Sequence, residues 1–279
     1  MSALAQSRPE RRRALWLALP ALLVLAGLYV APLAHLIPTS LRDSAGFSLA
    51  AYEKILGETY GWRLIWNSLR LGLLTTLITL LIGYPAAFGL ALSRGLARSL
   101  FLASLFLPLA ASVIAKAFAW TILLRSHGVL NETLMAIGLT SQPIRLIFTQ
   151  FALIAGAANV FLPFMILPIY TVVAQIDPRL QEAAATLGAP PVAAFLRVTL
   201  PISLPGVAAG VALVFSLSTS AYVVPTLLMG ENYPTLASLI AKSFLLTREP
   251  AVGSAAGAIL MAIGLVVVVA SERYSRERR

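Results

Sequence analysis

The chain has 279 residues, 59% of them hydrophobic and only 11% charged; its mean hydropathy of +0.86 excludes a water-soluble domain and points to a protein that crosses a bilayer several times. A net charge of +10 does not indicate a nucleic-acid partner, because the basic residues are scattered at the ends of apolar runs, as topology signals are, and form no phosphate-binding patch. With no cysteine, disulfides, thiol catalysis and thiolate metal sites are excluded, and His35 and His127 have no ligand-like neighbours, so both read as interfacial and no metal site is expected.

Residues 1–13 are polar and carry Arg8, Arg11, Arg12 and Arg13; an apolar run follows from Ala14 to Pro38. That run is longer than a signal-peptide core and no small-x-small cleavage site closes it, so it reads as a retained first span whose arginines hold the tail in the cytoplasm. An outer loop occupies residues 39–63, in which GFSLAAYEKIL has the pattern of a short amphipathic surface helix. Further apolar runs lie at about 64–92, 100–124, 146–173, 201–229 and 251–270, each long enough for a hydrocarbon core that takes about 20 helical residues to cross. With a first span at about 14–37, the expectation is an all-α membrane protein of six transmembrane helices over residues 14–270, with cytoplasmic tails at 1–13 and 271–279. In that orientation the inner segments hold twelve arginines against five acids, and the outer segments eight basic residues against six acids. The sign of this bias agrees with the excess of positive charge on cytoplasmic loops.

Small residues recur on one face of the second run (Gly72, Thr76, Thr79, Gly83), the fifth (Gly206, Gly210) and the sixth (Gly253, Gly257, Gly264). Such faces let helix backbones approach closely in lipid, where packing drives association. Pro85, Pro108, Pro163, Pro168 and Pro205 each remove a backbone hydrogen bond from a run, so kinked helices lining a path are expected.

Few polar groups lie inside the runs. Lys116, in the third, costs about 2.5–3.5 kcal/mol at a helix centre; either it snorkels outward toward Arg125 or it lines a translocation path. Asn159, mid-way along the fourth run, needs a partner helix, a water or a substrate. Ser216, Thr219, Ser220 and Tyr222 bring hydroxyls together at helical spacing in the fifth, where back-bonding to carbonyls competes with a substrate role. Trp120 and Tyr222 stand near the outer ends of their runs, positions where aromatics anchor the interface or face a cation. No acid lies within any run, so a cation inside this chain would be held by aromatics, hydroxyls and carbonyls, or by a partner's carboxylates.

Residues 177–200 form the one long polar-punctuated interval between apolar runs. Asp177-Pro178 is a helix start, Gly188 a helix stop, and Pro190-Pro191 the start of a second helix running through Phe195, Leu196 and Val198. Arg179, Glu182 and Thr186 share one face; Leu180, Ala183, Ala184 and Leu187 recur on the other.

Glu182-Ala183-Ala184, Gly188 and Val198-Thr199-Leu200-Pro201, at this spacing, resemble the cytoplasmic Glu-Ala-Ala loop of permease subunits in binding-protein-dependent ABC importers. NSL at 67–69, LLIGYPAAFGLA at 80–91, a basic residue before aromatic-Ala-Trp at 116–120, GVLN at 128–131 and LPFMILPIY at 162–170 extend the resemblance to the spermidine/putrescine branch, and more to the first of its two permeases. It covers residues 14–270 and implies the type I importer permease fold, with 177–200 as the coupling loop between spans 4 and 5. Glu182, Ala183, Ala184 and Gly188, with Arg179 beside them, would then contact an ATPase subunit. The implied partners are a second permease, identical or homologous, two ATP-binding subunits that hold ATP and magnesium, and a periplasmic or lipid-anchored solute-binding protein. The implied cargo is a polyamine; the same branch serves opines and amino-acid-like solutes. The implied location is the bacterial inner membrane.

Lys54, Lys116 and Lys242 lack the glycines of a phosphate-binding loop, and there is no nucleophile elbow or zinc signature. The chain is therefore expected to be non-catalytic and without a cofactor of its own. An ion-coupled secondary carrier is the alternative, set back by the missing intramembrane carboxylates; a membrane-embedded enzyme lacks any clustered acid, base or metal ligand.

Overall fold

A computed structural model describes the backbone of residues 7–43, 46–177 and 179–276 and the side chains of residues 19–42, 46–177 and 179–274. Pro178, expected to open a helix, lies outside these, as do residues 1–6 and 277–279 of the two expected tails.

The apolar runs become helices because a chain in lipid must satisfy every backbone N–H and C=O internally. The first, α1 (Ser7–Ser40), is helical through most of the polar stretch that precedes the run. A short two-stranded hairpin, β1 (Arg42–Asp43) and β2 (Gly46–Phe47), leads into α2 (Ala50–Leu56), which buries Ala51 and Ile55 as its amphipathic pattern requires. The second run extends at its start into α3 (Thr59–Leu92). Next come α4 (Gly95–Ala110), α5 (Val113–Leu123), α6 (Val129–Ala136), and α7 (Gln150–Val173). The polar interval folds as α8 (Arg179–Thr186) and α9 (Pro191–Ala194), continued by a π-helical turn at Phe195–Thr199. The chain ends with α10 (Leu200–Thr219), α11 (Val223–Met229), α12 (Leu236–Lys242), a second π-helical turn at Ser243–Thr247, and α13 (Pro250–Arg276).

Two expected spans are divided. The run 100–124 becomes α4 and α5, which meet at 99°. Pro108 sits in the last turn of α4, Ala111 is extended, and the Ser112 hydroxyl accepts from the Ile114 N–H to cap α5. Among the described residues five helices are long and apolar enough to cross a membrane, or six if this bent pair is one span. The run 201–229 likewise breaks at Ser220–Tyr222, between α10 and α11.

The centre of the bundle is α3, α7 and α10, packed on one another, with α13 outside α10 and α1 outside α13. Small residues set this spacing. A Cβ on Gly83 of α3 would stand 3.0 Å from Met165 Cγ of α7, and one on Gly257 of α13 would stand 3.2 Å from Leu36 Cδ1 of α1.

Two buried polar clamps hold the connections. Asn67 Nδ2 donates to the Pro234 carbonyl at 2.9 Å, the Leu236 N–H donates to Ser68 Oγ at 2.9 Å, and the Tyr233 hydroxyl donates to the Asn67 carbonyl at 3.0 Å. The Asn-Ser pair of the NSL motif thus anchors the α11–α12 connection to α3. Asn131, fully buried, donates from Nδ2 to the carbonyls of Arg125 and Ile144, each at 3.0 Å, and accepts the Ile144 N–H at 2.9 Å. Asn131→Ala takes the partner from those part-buried backbone groups, at about 1–3 kcal/mol for each that water does not reach. The expected result is a lower unfolding midpoint in detergent, with new protease cleavage confined to residues 125–149.

Candidate functional site

The polar interval is fixed by local chemistry. Asp177 Oδ1 accepts the Arg179 N–H at 2.9 Å at the start of α8. At its end Gly188 takes φ +79; its N–H donates to the Ala185 carbonyl at 2.9 Å and the Ala189 N–H donates to the Ala184 carbonyl at 3.1 Å. This pair of bonds is a Schellman cap, which needs a residue that accepts the left-handed conformation. Pro190 is extended and Pro191 opens α9, so the chain turns within three residues.

The bend is tied back to the bundle. Gln181 Nε2 donates to Thr199 Oγ1 at 2.9 Å, bracing α8 against the π-helical turn. Phe195 meets the edges of Tyr84 and Phe88 of α3 at centroid distances of 6.1 and 5.6 Å, and the Tyr84 hydroxyl lies 2.9 Å from Ser203 Oγ of α10. Nearby, Arg98 donates to the Tyr170 hydroxyl and lies over its ring, joining the start of α4 to the end of α7. None of these ties is visible as a spacing in the sequence.

Both faces of α8 are open. Arg179, Glu182 and Ala183 are exposed and no residue of the helix is buried. The apolar side is open too: Leu180 is 44% and Leu187 89% exposed, and Val192 and Leu196, further along the interval, 68% and 52%. The helix packs chiefly on its own continuation, so nothing among the described residues buries that side.

Of the polar groups inside the runs, Trp120 and Asn159 come together. The indole Nε1 donates to Asn159 Oδ1 at 3.4 Å, a long bond. Gly156 lets α5 and α11 close on α7 here, since a Cβ on it would meet Leu228 Cδ1 at 2.3 Å. Lys116, half-buried, lies one turn before Trp120 on the same face of α5.

The hydroxyls of the fifth run separate. Thr219 Oγ1 faces α3, where a Cβ on Gly72 would meet it at 2.1 Å, and Ser216 Oγ is 3.9 Å from the corresponding point on Gly264 of α13. Both oxygens are buried in helix interfaces without a hydrogen-bond partner among the described residues. Ser220 back-bonds to the Ser216 carbonyl at 2.8 Å. Tyr222 stands elsewhere, lining a cavity of about 330 Å³ with Tyr60, Thr226, Glu231, Ser238 and Lys242. Tyr60 and Glu231 were not expected there: both lie just outside the apolar runs, so a search confined to the runs passes over them.

No family model matches the chain. It is 35% identical over 234 residues to the spermidine/putrescine transport system permease protein PotB of Haemophilus influenzae, covering 82% of this chain and 80% of that one. To PotB of Escherichia coli it is 33% identical over 234 residues, with 82% and 85% covered. A putative 2-aminoethylphosphonate transport system permease protein, PhnU of Salmonella typhimurium, is 28% identical over 242 residues, with 85% and 84% covered. The fold is that of a chain in the crystal structure of a bacterial ABC transporter involved in the import of the acidic polysaccharide alginate, with a TM-score of 0.79 over 98% of both chains at 20% identity. A chain of a bacterial alginate ABC transporter in complex with an alginate pentasaccharide-bound periplasmic protein gives 0.77 over 96% of both at 21%.

Proposed function

The chain belongs to the family of ABC importer permease subunits that includes PotB, and on that premise we propose that it forms half of the translocation path for a polyamine or a similar organic cation. As a permease of this family it is a multi-pass inner-membrane protein and not itself catalytic. The observation that carries the cargo is the 35% identity to PotB across 80% of that protein. The complex would comprise this chain, a second permease, two ATP-binding subunits and a solute-binding protein, with both termini and residues 177–200 in the cytoplasm.

In this reading the open faces of α8 and α9 receive the ATPase subunit through Arg179, Glu182, Ala183, Ala184 and Gly188. The Schellman cap and the Gln181–Thr199 bond make the bend rigid. Phe195 and Tyr84–Ser203 then pass its movement to α3 and α10 when the ATPases close. Cargo ammonium groups meet the Tyr60–Tyr222–Glu231 cavity, where two aromatic faces suit a cation and Glu231 offsets the charge of Lys242, and further in they meet Trp120 and Asn159, while the like charge of Lys116 on the same path sets a barrier to their passage. Ser216 and Thr219 face neighbouring helices and act through packing.

The likeness to PhnU favours one second reading, a 2-aminoethylphosphonate-type cargo that shares the ammonium group. The test is uptake of labelled putrescine, spermidine and 2-aminoethylphosphonate by the complex reconstituted with its binding protein and ATP. The expected result is ATP-dependent uptake of the polyamines, with the aminophosphonate failing to compete. Aminophosphonate uptake alone reverses the cargo; uptake by the chain alone without nucleotide points to a secondary carrier.

A further inference from the structure

We propose that a basic cleft where α1 ends and α13 begins binds the headgroup of an anionic phospholipid. The cleft, about 620 Å³, is lined by Arg42, Lys54 and Arg248 together with Glu249, Thr39 and Ser48. Among the described residues three cationic side chains face one carboxylate, and that carboxylate is engaged by Lys54 at 2.9 Å. Arg42 and Arg248 have no acidic partner among the described residues, and Glu53 and Glu58 do not line the cleft. The first turn of α13 also opens here, and leading N–H groups of a helix lack intrahelical acceptors.

Position selects the kind of anion. The apolar helices Leu19–Ser40 and Pro250–Tyr274 stop and start at the cleft, so it sits at the depth where hydrocarbon gives way to headgroups. On α1, within two turns of the cleft residue Thr39, Leu33 and Ile37 are about half exposed, and acyl chains would lie along that apolar surface. A diester phosphate between Arg42 and Arg248 would keep its chains on that surface; a soluble phosphate would have no use for it. The excess positive charge also rules the cleft out as a subsite for a cationic cargo. This inference needs only that the chain crosses a bilayer, so it stands or falls separately from the cargo.

Arg248 supplies a clean test. It adopts φ 54 and ψ 39, a conformation glycine takes without the cost an arginine bears. Arg248→Gly therefore removes the guanidinium without harming the fold. The full-length chain in its assembled complex is placed in nanodiscs of phosphatidylcholine alone or with phosphatidylglycerol. Phosphatidylglycerol retained after detergent washing is counted by native mass spectrometry, and the unfolding midpoint is recorded.

The wild type is expected to retain phosphatidylglycerol and to unfold at higher temperature with it. Retention falls roughly fivefold for each arginine removed, in Arg248→Gly and again in Arg42→Gln/Arg248→Gly, at the strength of about 1 kcal/mol per basic residue near an anionic surface. In phosphatidylcholine alone Arg248→Gly unfolds no earlier than the wild type. Equal retention by all three overturns the proposal. Protection by inorganic phosphate as strong as by phosphatidylglycerol makes this a free-anion site instead. Loss of solute-binding-protein affinity with lipid retention unchanged assigns the cleft to a protein partner.

Discussion

Gly188→Pro is expected to bring ATP-driven uptake to background while the chain still reaches the membrane in normal amount. The residue holds φ +79, whereas proline is locked near −65° and lacks the N–H that donates to Ala185. Both bonds of the cap are lost, and α9 leaves α8 in a new direction. Crowding is not the cause, since nothing lies within 4 Å of where a Cβ would stand. That separation makes a graded series informative. Gly188→Ala keeps the N–H and suffers only the left-handed cost of about 1–2 kcal/mol, so uptake should fall by no more than about thirtyfold at 1.4 kcal/mol per decade. Gly188→Asn should fall less, because asparagine visits this conformation more readily. Stimulation of ATPase by loaded binding protein should follow the same order, and Glu182→Lys, which reverses an exposed charge without touching the bend, should weaken it too. A proline variant that still shows full stimulation would mean that the bend transmits nothing.

The bend was legible in the sequence because glycine and proline dictate backbone geometry within a few residues: Gly188, Pro190 and Pro191 need no tertiary context to turn the chain. The close-packing faces were legible for a similar reason, since Gly72, Gly206 and Gly210 recur at helical spacing and each sits where another helix arrives. What could not be read depends on direction in space. Residues 100–124 read as one predominantly apolar run, and Pro108 marks a weak point without setting the 99° angle that follows. Ser216, Thr219, Ser220 and Tyr222 look like one group along the chain, but the break at residues 220–222 turns Tyr222 toward Glu231, while Ser216 and Thr219 face different neighbours. Asn131 shows the same limit. A lone asparagine in GVLN carries no mark of the Ile144 backbone groups, 13 residues on, that it pairs with.

Gly206→Leu should prevent the chain from accumulating in the membrane, and the comparison with Gly210 shows why. The two glycines lie one turn apart on α10 where it crosses α7. A Cβ on Gly206 would stand 2.8 Å from the Pro168 carbonyl oxygen and 3.0 Å from Ile169 Cα, so the obstacle is backbone. On Gly210 the nearest atom, at 2.8 Å, is Met165 Sδ, the far part of a flexible side chain, and the backbone begins at 3.2 Å. Gly210→Ala can be absorbed by a rotamer change of the thioether. Gly206→Ala has to move a helix, and even ordinary overpacking costs about 1–3 kcal/mol. Leucine there forces α10 away from α7 and uncovers Met165 and Ile169, both fully buried. In lipid no hydrophobic gain from elsewhere offsets that loss, because the bilayer is as apolar as the core it would replace. Membrane-resident protein and the unfolding midpoint in detergent should therefore rank Gly210→Ala above Gly206→Ala, and Gly206→Ala above Gly206→Leu. Equal behaviour of the two alanine variants would mean that α7 and α10 do not meet backbone to backbone at Gly206.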